Sequence, residues 1–133
     1  MKIINKLLIL GFHSVNLILI IFYLYPGSIL GCYLYNNCNI QPQITSNFTI
    51  SSIYWISSNH FYSFFFLSII GIFAYRNTKK IKFLISYLFL LSIILELFHI
   101  TIPNRGFEWS DLFGNILGLI LVIVIYKVKI KYV

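Results

Sequence analysis

Residues 96–118 read ELFHITIPNRGFEWSDLFGNILG, and they hold all three acidic residues of the 133-residue chain, one of its two arginines and one of its three histidines. Apolar residues dominate on both sides, back to Ile81 and on to Tyr126. A carboxylate such as Glu96 inside a long apolar run is costly and marks a site by default. Pro103 stops or bends a helix just after His99, and Asn104-Arg105-Gly106 is a turn sequence. The stretch therefore predicts a helical hairpin with its polar groups gathered near the apex.

Working outward, apolar runs fall at about 7–25, 53–75, 81–102 and 109–126. Each is near the length that crosses a hydrocarbon layer of about 30 Å. Only 10% of residues are charged, against about 25% in soluble domains. Strand alternation is absent, which argues against a transmembrane barrel. The expected fold is all-α and polytopic: four transmembrane helices in a compact antiparallel bundle, one domain over residues 1–133. The connection RNTKK is short enough to make the second and third runs antiparallel neighbours. The first run is longer than a signal peptide's apolar core and no Ala-x-Ala site follows it, so it reads as a retained span.

The net charge of +7 is concentrated beside the apolar runs, at Lys2 and Lys6, Arg76 to Lys82, and Lys127 to Lys131. This is the placement of topology signals and not of a phosphate-binding surface, so no nucleic-acid partner is expected. Both termini and the RNTKK turn are expected on the cytoplasmic side, with Arg105 the one basic residue outside. The outer loop, residues 26–52, has no charge and no periodicity and reads as irregular. It contains both cysteines, Cys32 and Cys38, which fit either a disulfide in an oxidising space or two free thiols. Asn47-Phe48-Thr49 fits a glycosylation pattern, relevant only in a eukaryotic secretory membrane.

Glu96 and His99 are three apart and share a helix face. Glu96 is expected about two turns before the helix end, roughly 10 Å below it. Asp111, Asn115 and Gly118 fall on one face of the last run. Gly114 and Gly118 have the small-xxx-small spacing that admits a close helix neighbour. His60 lies near the outer end of the second run. The candidates for acid–base work are Glu96, His99 and Asp111, and those for ligand contact are Arg105, Asn115 and His60. Bland roles stand beside each: Glu96 locked to Arg105, Asp111 starting its helix, Asn115 as interhelical glue. His13, alone in the first run, is expected to pack or hydrogen-bond. Glu96, His99, Asp111 and His60 could ligate a metal, but a carboxylate-bridged bundle needs two Glu-x-x-His motifs and only one is present. No metal and no cofactor is expected.

Glu96-x-x-His99, Pro103-x-Arg105 and Asp111-x-x-x-Asn115-x-x-Gly118 together resemble the carboxyl-terminal signature of the VanZ-like membrane proteins. That signature runs Glu-x-x-Gln, Pro-Gly-Arg, Asp-x-x-x-Asn-x-x-Gly. Here His99 replaces the glutamine, Asn104 replaces the glycine, and a later family glycine falls at Val122. His60-Phe61-Tyr62 resembles the start of the family's second span, whose Asp and Lys fall here at Ile56 and Ser57. The namesake is associated with low-level resistance to the glycopeptide teicoplanin. The resemblance implies a bacterial cytoplasmic-membrane protein whose outward pocket engages an envelope lipid or lipid-linked precursor. Two alternatives stay open: an enzyme using acid–base chemistry on a lipid-linked substrate, and a structural or regulatory subunit. In the last, the Gly114/Gly118 face would dock a second copy or another membrane protein.

Overall fold

The structure is a computed structural model that describes residues 2–42, 48–50 and 53–132. Among these residues five helices form: α1 (Lys2–Leu24), α2 (Ile29–Tyr35), α3 (Ser58–Tyr75), α4 (Ile81–Phe98) and α5 (Trp109–Tyr132). Two short strands, β1 (Phe48–Ile50) and β2 (Ile53–Ile56), pair antiparallel between α2 and α3.

The expectation of four transmembrane helices is corrected. Among the described residues, three helices are long and apolar enough to cross a membrane, over Ile3–Leu24, Ile81–Phe98 and Trp109–Lys129. The run at 53–75 fails for two local reasons. Its first residues, Ile53–Ile56, are spent on β2. The helix that remains has 18 residues and opens with Asn59, His60 and Ser63. Polar groups there lower its apolar content but supply the polar end of the molecule. With three helices of spanning length, counting spans no longer assigns sides to the two termini. The third run also ends sooner than expected, at Phe98 and not 102, because residues 99–102 leave the helix in a turn and a bend ahead of Pro103.

α3 is the innermost helix, packed against α1, α4 and most extensively α5. The pairs His13–Tyr75 and Tyr23–His60 make α1 and α3 antiparallel. Glycine contacts make α3 and α5 parallel, since Gly114 meets Ser57 and Gly118 meets Phe61 and Phe65. Lys6, Arg76 and Lys127 consequently lie toward one end, where Tyr126 donates to the Arg76 carbonyl. Phe12, Leu19, Phe64, Leu67, Leu88, Leu95 and Leu119 fill the core. Leu10, Leu17, Phe83, Leu90, Leu121 and Val124 point outward from the three apolar helices. Such a surface suits lipid, where no water competes and each helix satisfies its own backbone.

The Gly114/Gly118 face, available in principle to a partner, is filled by α3 of the same chain. A Cβ on Gly114 would sit 2.7 Å from the Ser57 carbonyl oxygen, and one on Gly118 would run into the Phe61 carbonyl. The small residues serve to bring two backbones together.

The loop expected to be irregular is partly built. Ser28 caps α2 by accepting from the Gly31 N–H at 3.0 Å, as a serine N-cap does. Asn36 ends it in the left-handed region, φ 50°, which asparagine tolerates. Gly27, at φ 86°, lies directly under the Cys38 carbonyl, and the Ser28 N–H donates to that carbonyl at 2.7 Å. Cys32 and Cys38 form a disulfide across this turn. Thiol labelling of membranes should therefore fail until a reductant is added. Replacing both cysteines by serine should cost about 2 kcal/mol, the loop-closure value for so short a ring, read as a lower melting temperature in detergent. Asn47 of the glycosylation pattern lies outside the described residues.

Candidate functional site

The polar end is assembled from four helices. On α1, Phe12, Asn16, Leu19 and Tyr23 share one buried face, as spacings of four, seven and eleven dictate. Tyr23 lies at the centre of the site: its ring stacks on His99 (5.8 Å between centroids) and meets His60 edge-on at 4.9 Å. Sequence reasoning missed it, although the period of α1 carries the signal.

His60 stands in the first turn of α3 and is 7% exposed. Gly114 lets α5 approach so closely that a Cβ there would lie 3.1 Å from the His60 Cβ. That approach delivers Asp111, one turn earlier on α5, to His60: Oδ2 is 3.1 Å from Nε2. One turn later, buried Asn115 accepts the Tyr23 hydroxyl at 2.6 Å through Oδ1. The backbone agrees, with the Ser57 N–H donating to the Ser110 carbonyl at 3.0 Å.

Glu96 is fully buried in the last turn of α4, shallower than two turns from the helix end because the helix stops early. Its Oε1 accepts the Glu108 N–H at 3.0 Å, and its Oε2 is 3.3 Å from His99 Nδ1. The other ring nitrogen of His99, Nε2, is 3.1 Å from the Tyr23 carbonyl oxygen. A carbonyl only accepts, so Nε2 carries a proton. His99 Nδ1 lies beside Glu96 Oε2 without an aligned hydrogen bond.

Arg105 does not pair with Glu96 as expected. It is half-buried and reaches back to the end of α1, where carbonyls left over by the helix terminus need donors. Nη2 donates to the Gly27 carbonyl at 2.7 Å and the Phe22 carbonyl at 3.3 Å, and Nε to those of Gly27 (3.1 Å) and Tyr25 (3.3 Å). Asn104, at φ 60°, turns the chain so that Arg105 can reach. Burial pulls the guanidinium below its ordinary range, while Asp111 pulls it back up; a group that basic stays a cation at neutral pH. Glu108 is exposed and accepts the Ser110 hydroxyl at 3.3 Å. His13 meets the Tyr75 hydroxyl at 3.0 Å, remote from this end.

A cavity of about 150 Å³ opens beside these groups, lined by Phe22, Tyr23, Asn59, His60, Ser63 and Arg105 with residues of the α2 loop. The Asn59 side chain donates to the Pro42 carbonyl at 2.8 Å and ties that loop down. Of the six sequence-derived candidates, His60 and Arg105 line the cavity. Asp111, Glu96 and His99 stand behind His60, and Asn115 braces Tyr23. A carboxylate-paired imidazole at a cavity wall can move a proton to or from a bound group. A larger cavity of about 600 Å³ at the basic end, between α3 and α5, has neither a histidine nor a carboxylate on its wall.

Compared with known proteins, the chain matches no family model, no curated protein and no solved structure.

Proposed function

We propose that this chain is a multi-pass protein of the bacterial cytoplasmic membrane, VanZ-like in its residue pattern, that binds the anionic headgroup of an envelope lipid or lipid-linked precursor. The basic end would face the cytoplasm by the positive-inside rule, which turns the polar end outward. The observation that carries the reading is Arg105 on the wall of the same cavity as His60. Nη1 of Arg105 takes part in none of the hydrogen bonds among the described residues, while Nε and Nη2 hold the side chain in place. A guanidinium fixed in this way meets a phosphate with little further ordering. Phe22 and Leu30 on the wall suit the acyl or prenyl portion next to it.

The test is lipid retention by the detergent-purified protein, read by native mass spectrometry with phosphatidylglycerol against phosphatidylcholine. Wild type should prefer the anionic lipid. Arg105→Gln should lose that preference about tenfold or more, the worth of one charge-assisted hydrogen bond. Arg105→Lys, which keeps the charge without the planar fork, should fall between. Abundance in the membrane and susceptibility to lipoglycopeptides are read on the same strains. Equal anionic preference in wild type and Arg105→Gln sinks the reading.

A further inference from the structure

We infer that His60, Glu96 and Asp111 form a binding site for one divalent transition-metal ion with nitrogen and oxygen preference, of the zinc class. The three residues come from α3, α4 and α5, and one potential ligand atom from each lies within 4.8 Å of the others. The sequence argued against metal because a two-metal bundle needs a second Glu-x-x-His. A single ion needs only three protein ligands, and their nearness depends on helix packing.

Two orphaned atoms point to the ion. Among the described residues, His60 Nδ1 and Glu96 Oε2 are both buried without a hydrogen-bond partner, and they lie 4.0 Å apart. That is too long for a hydrogen bond. His60 Nε2 lies 3.1 Å from Asp111 Oδ2, near the spacing of two ligands on one ion, so the ring can ligate through Nε2 with its proton on Nδ1. Glu96 Oε2 is near His99 Nδ1 at 3.3 Å but makes no well-aligned bond with it. A buried carboxylate oxygen with no donor, beside a second carboxylate and an imidazole, calls for a cation. Ligands about 2.1 Å from a zinc ion stand roughly 3.4 Å apart at the tetrahedral angle, close to the 3.1 Å between His60 Nε2 and Asp111 Oδ2, and Glu96, within 4.8 Å of both, moves in on them.

Charge and surroundings agree. Two carboxylates and a neutral imidazole match a divalent ion, and the nearest arginine is already engaged with carbonyls of Phe22, Tyr25 and Gly27. The Asp111 carboxylate already stands on the Nε2 side of His60, where both residues can ligate one ion. The Glu108 N–H holds the far oxygen of Glu96, the kind of outer support that orients metal ligands. One nitrogen and two oxygens select zinc-class ions over calcium. Three protein ligands leave a position for water or another oxygen donor. The inference needs no lipid and stands apart from the headgroup reading.

The experiment is titration of tag-free, chelator-stripped protein in detergent, with Zn²⁺ by calorimetry and Co²⁺ by visible absorption. One equivalent per chain is expected, with a Co²⁺ spectrum of low-symmetry nitrogen and oxygen coordination. His60→Gln and Glu96→Gln should each weaken binding by at least about 100-fold, beyond the effect of losing outer support alone. His13→Gln, which removes an exposed histidine at the other end, should leave binding unchanged. Absence of saturable binding of both ions to stripped wild type overturns the site, leaving protons as the cations of the cluster. Binding kept in both His60→Gln and Glu96→Gln also overturns it. The wild-type titration decides even if one variant fails to fold, and lipid retention by wild type against Arg105→Gln is unaffected by either outcome.

Discussion

Gly118→Leu will remove the folded protein from the membrane. The Cβ of any residue at 118 collides with the Phe61 carbonyl and comes within 2.9 Å of the Phe65 nitrogen. Both obstacles are backbone atoms of α3, so no rotamer change clears them. α3 cannot retreat locally, because Gly114 holds the same two helices together one turn away, against Ser57 and Phe61. Overpacking a core with flexible neighbours costs about 1–3 kcal/mol. Against a rigid backbone Gly118→Ala should reach the upper part of that range, and leucine should exceed it. Total stabilities of about 5–15 kcal/mol leave little room for such a loss. Separation of α3 from α5 would also pull Asp111 from His60, so site and fold fail together. Membrane abundance and thermal unfolding in detergent are the readouts. A Gly118→Leu protein with wild-type abundance and melting temperature would refute the close α3–α5 packing.

Glu96→Ala and Glu96→Gln should behave very differently. Alanine leaves the Glu108 N–H without its acceptor and His99 Nδ1 without its partner, both in a closed interior. Breaking a buried pair on one side costs about 3–5 kcal/mol. Glutamine keeps the shape, and its oxygen can still accept from Glu108. Its amide can donate to the bare Nδ1 of a neutral His99, whose Nε2 proton is fixed by the Tyr23 carbonyl. The contact to Glu108 and the packing beside His99 are both kept, so the change in stability should stay within about 1 kcal/mol, the worth of one ordinary hydrogen bond. Unfolding of both variants by SDS titration gives the comparison. Equal, large losses in the two would mean that the carboxylate charge itself holds the end of α4 in place.

Much of the local structure can be read directly from the chain. The apolar runs mark three helices of spanning length, and the polar stretch after Glu96 marks where α4 gives way to α5. The turn at Pro103 to Gly106 follows from residue types, and the left-handed Asn104 agrees with them. The basic clusters, separated along the chain by tens of residues, still fall toward one end of the molecule. The same reading failed for 53–75, where an apolar strand and an apolar helix are contiguous. A short apolar run has no period that separates the two.

Which residues are apolar, where helices stop, and which side chains share a helix face follow from the chain alone, because these depend on neighbours within a turn or two. Which faces meet is a matter of packing between helices. Glu96 could choose between Arg105 and a histidine, and the choice went to His99 because Arg105 is drawn to the unpaired carbonyls at the end of α1. Tyr23, remote in sequence, enters the site through the period of α1 and closes on Asn115. His60, Glu96 and Asp111 converge because two glycines bring α3 and α5 to backbone contact while α4 ends beside them. Side-chain partnerships between helices depend on ångström-scale approach and rotation, and that information resides in the packed assembly, where local periodicity has no say.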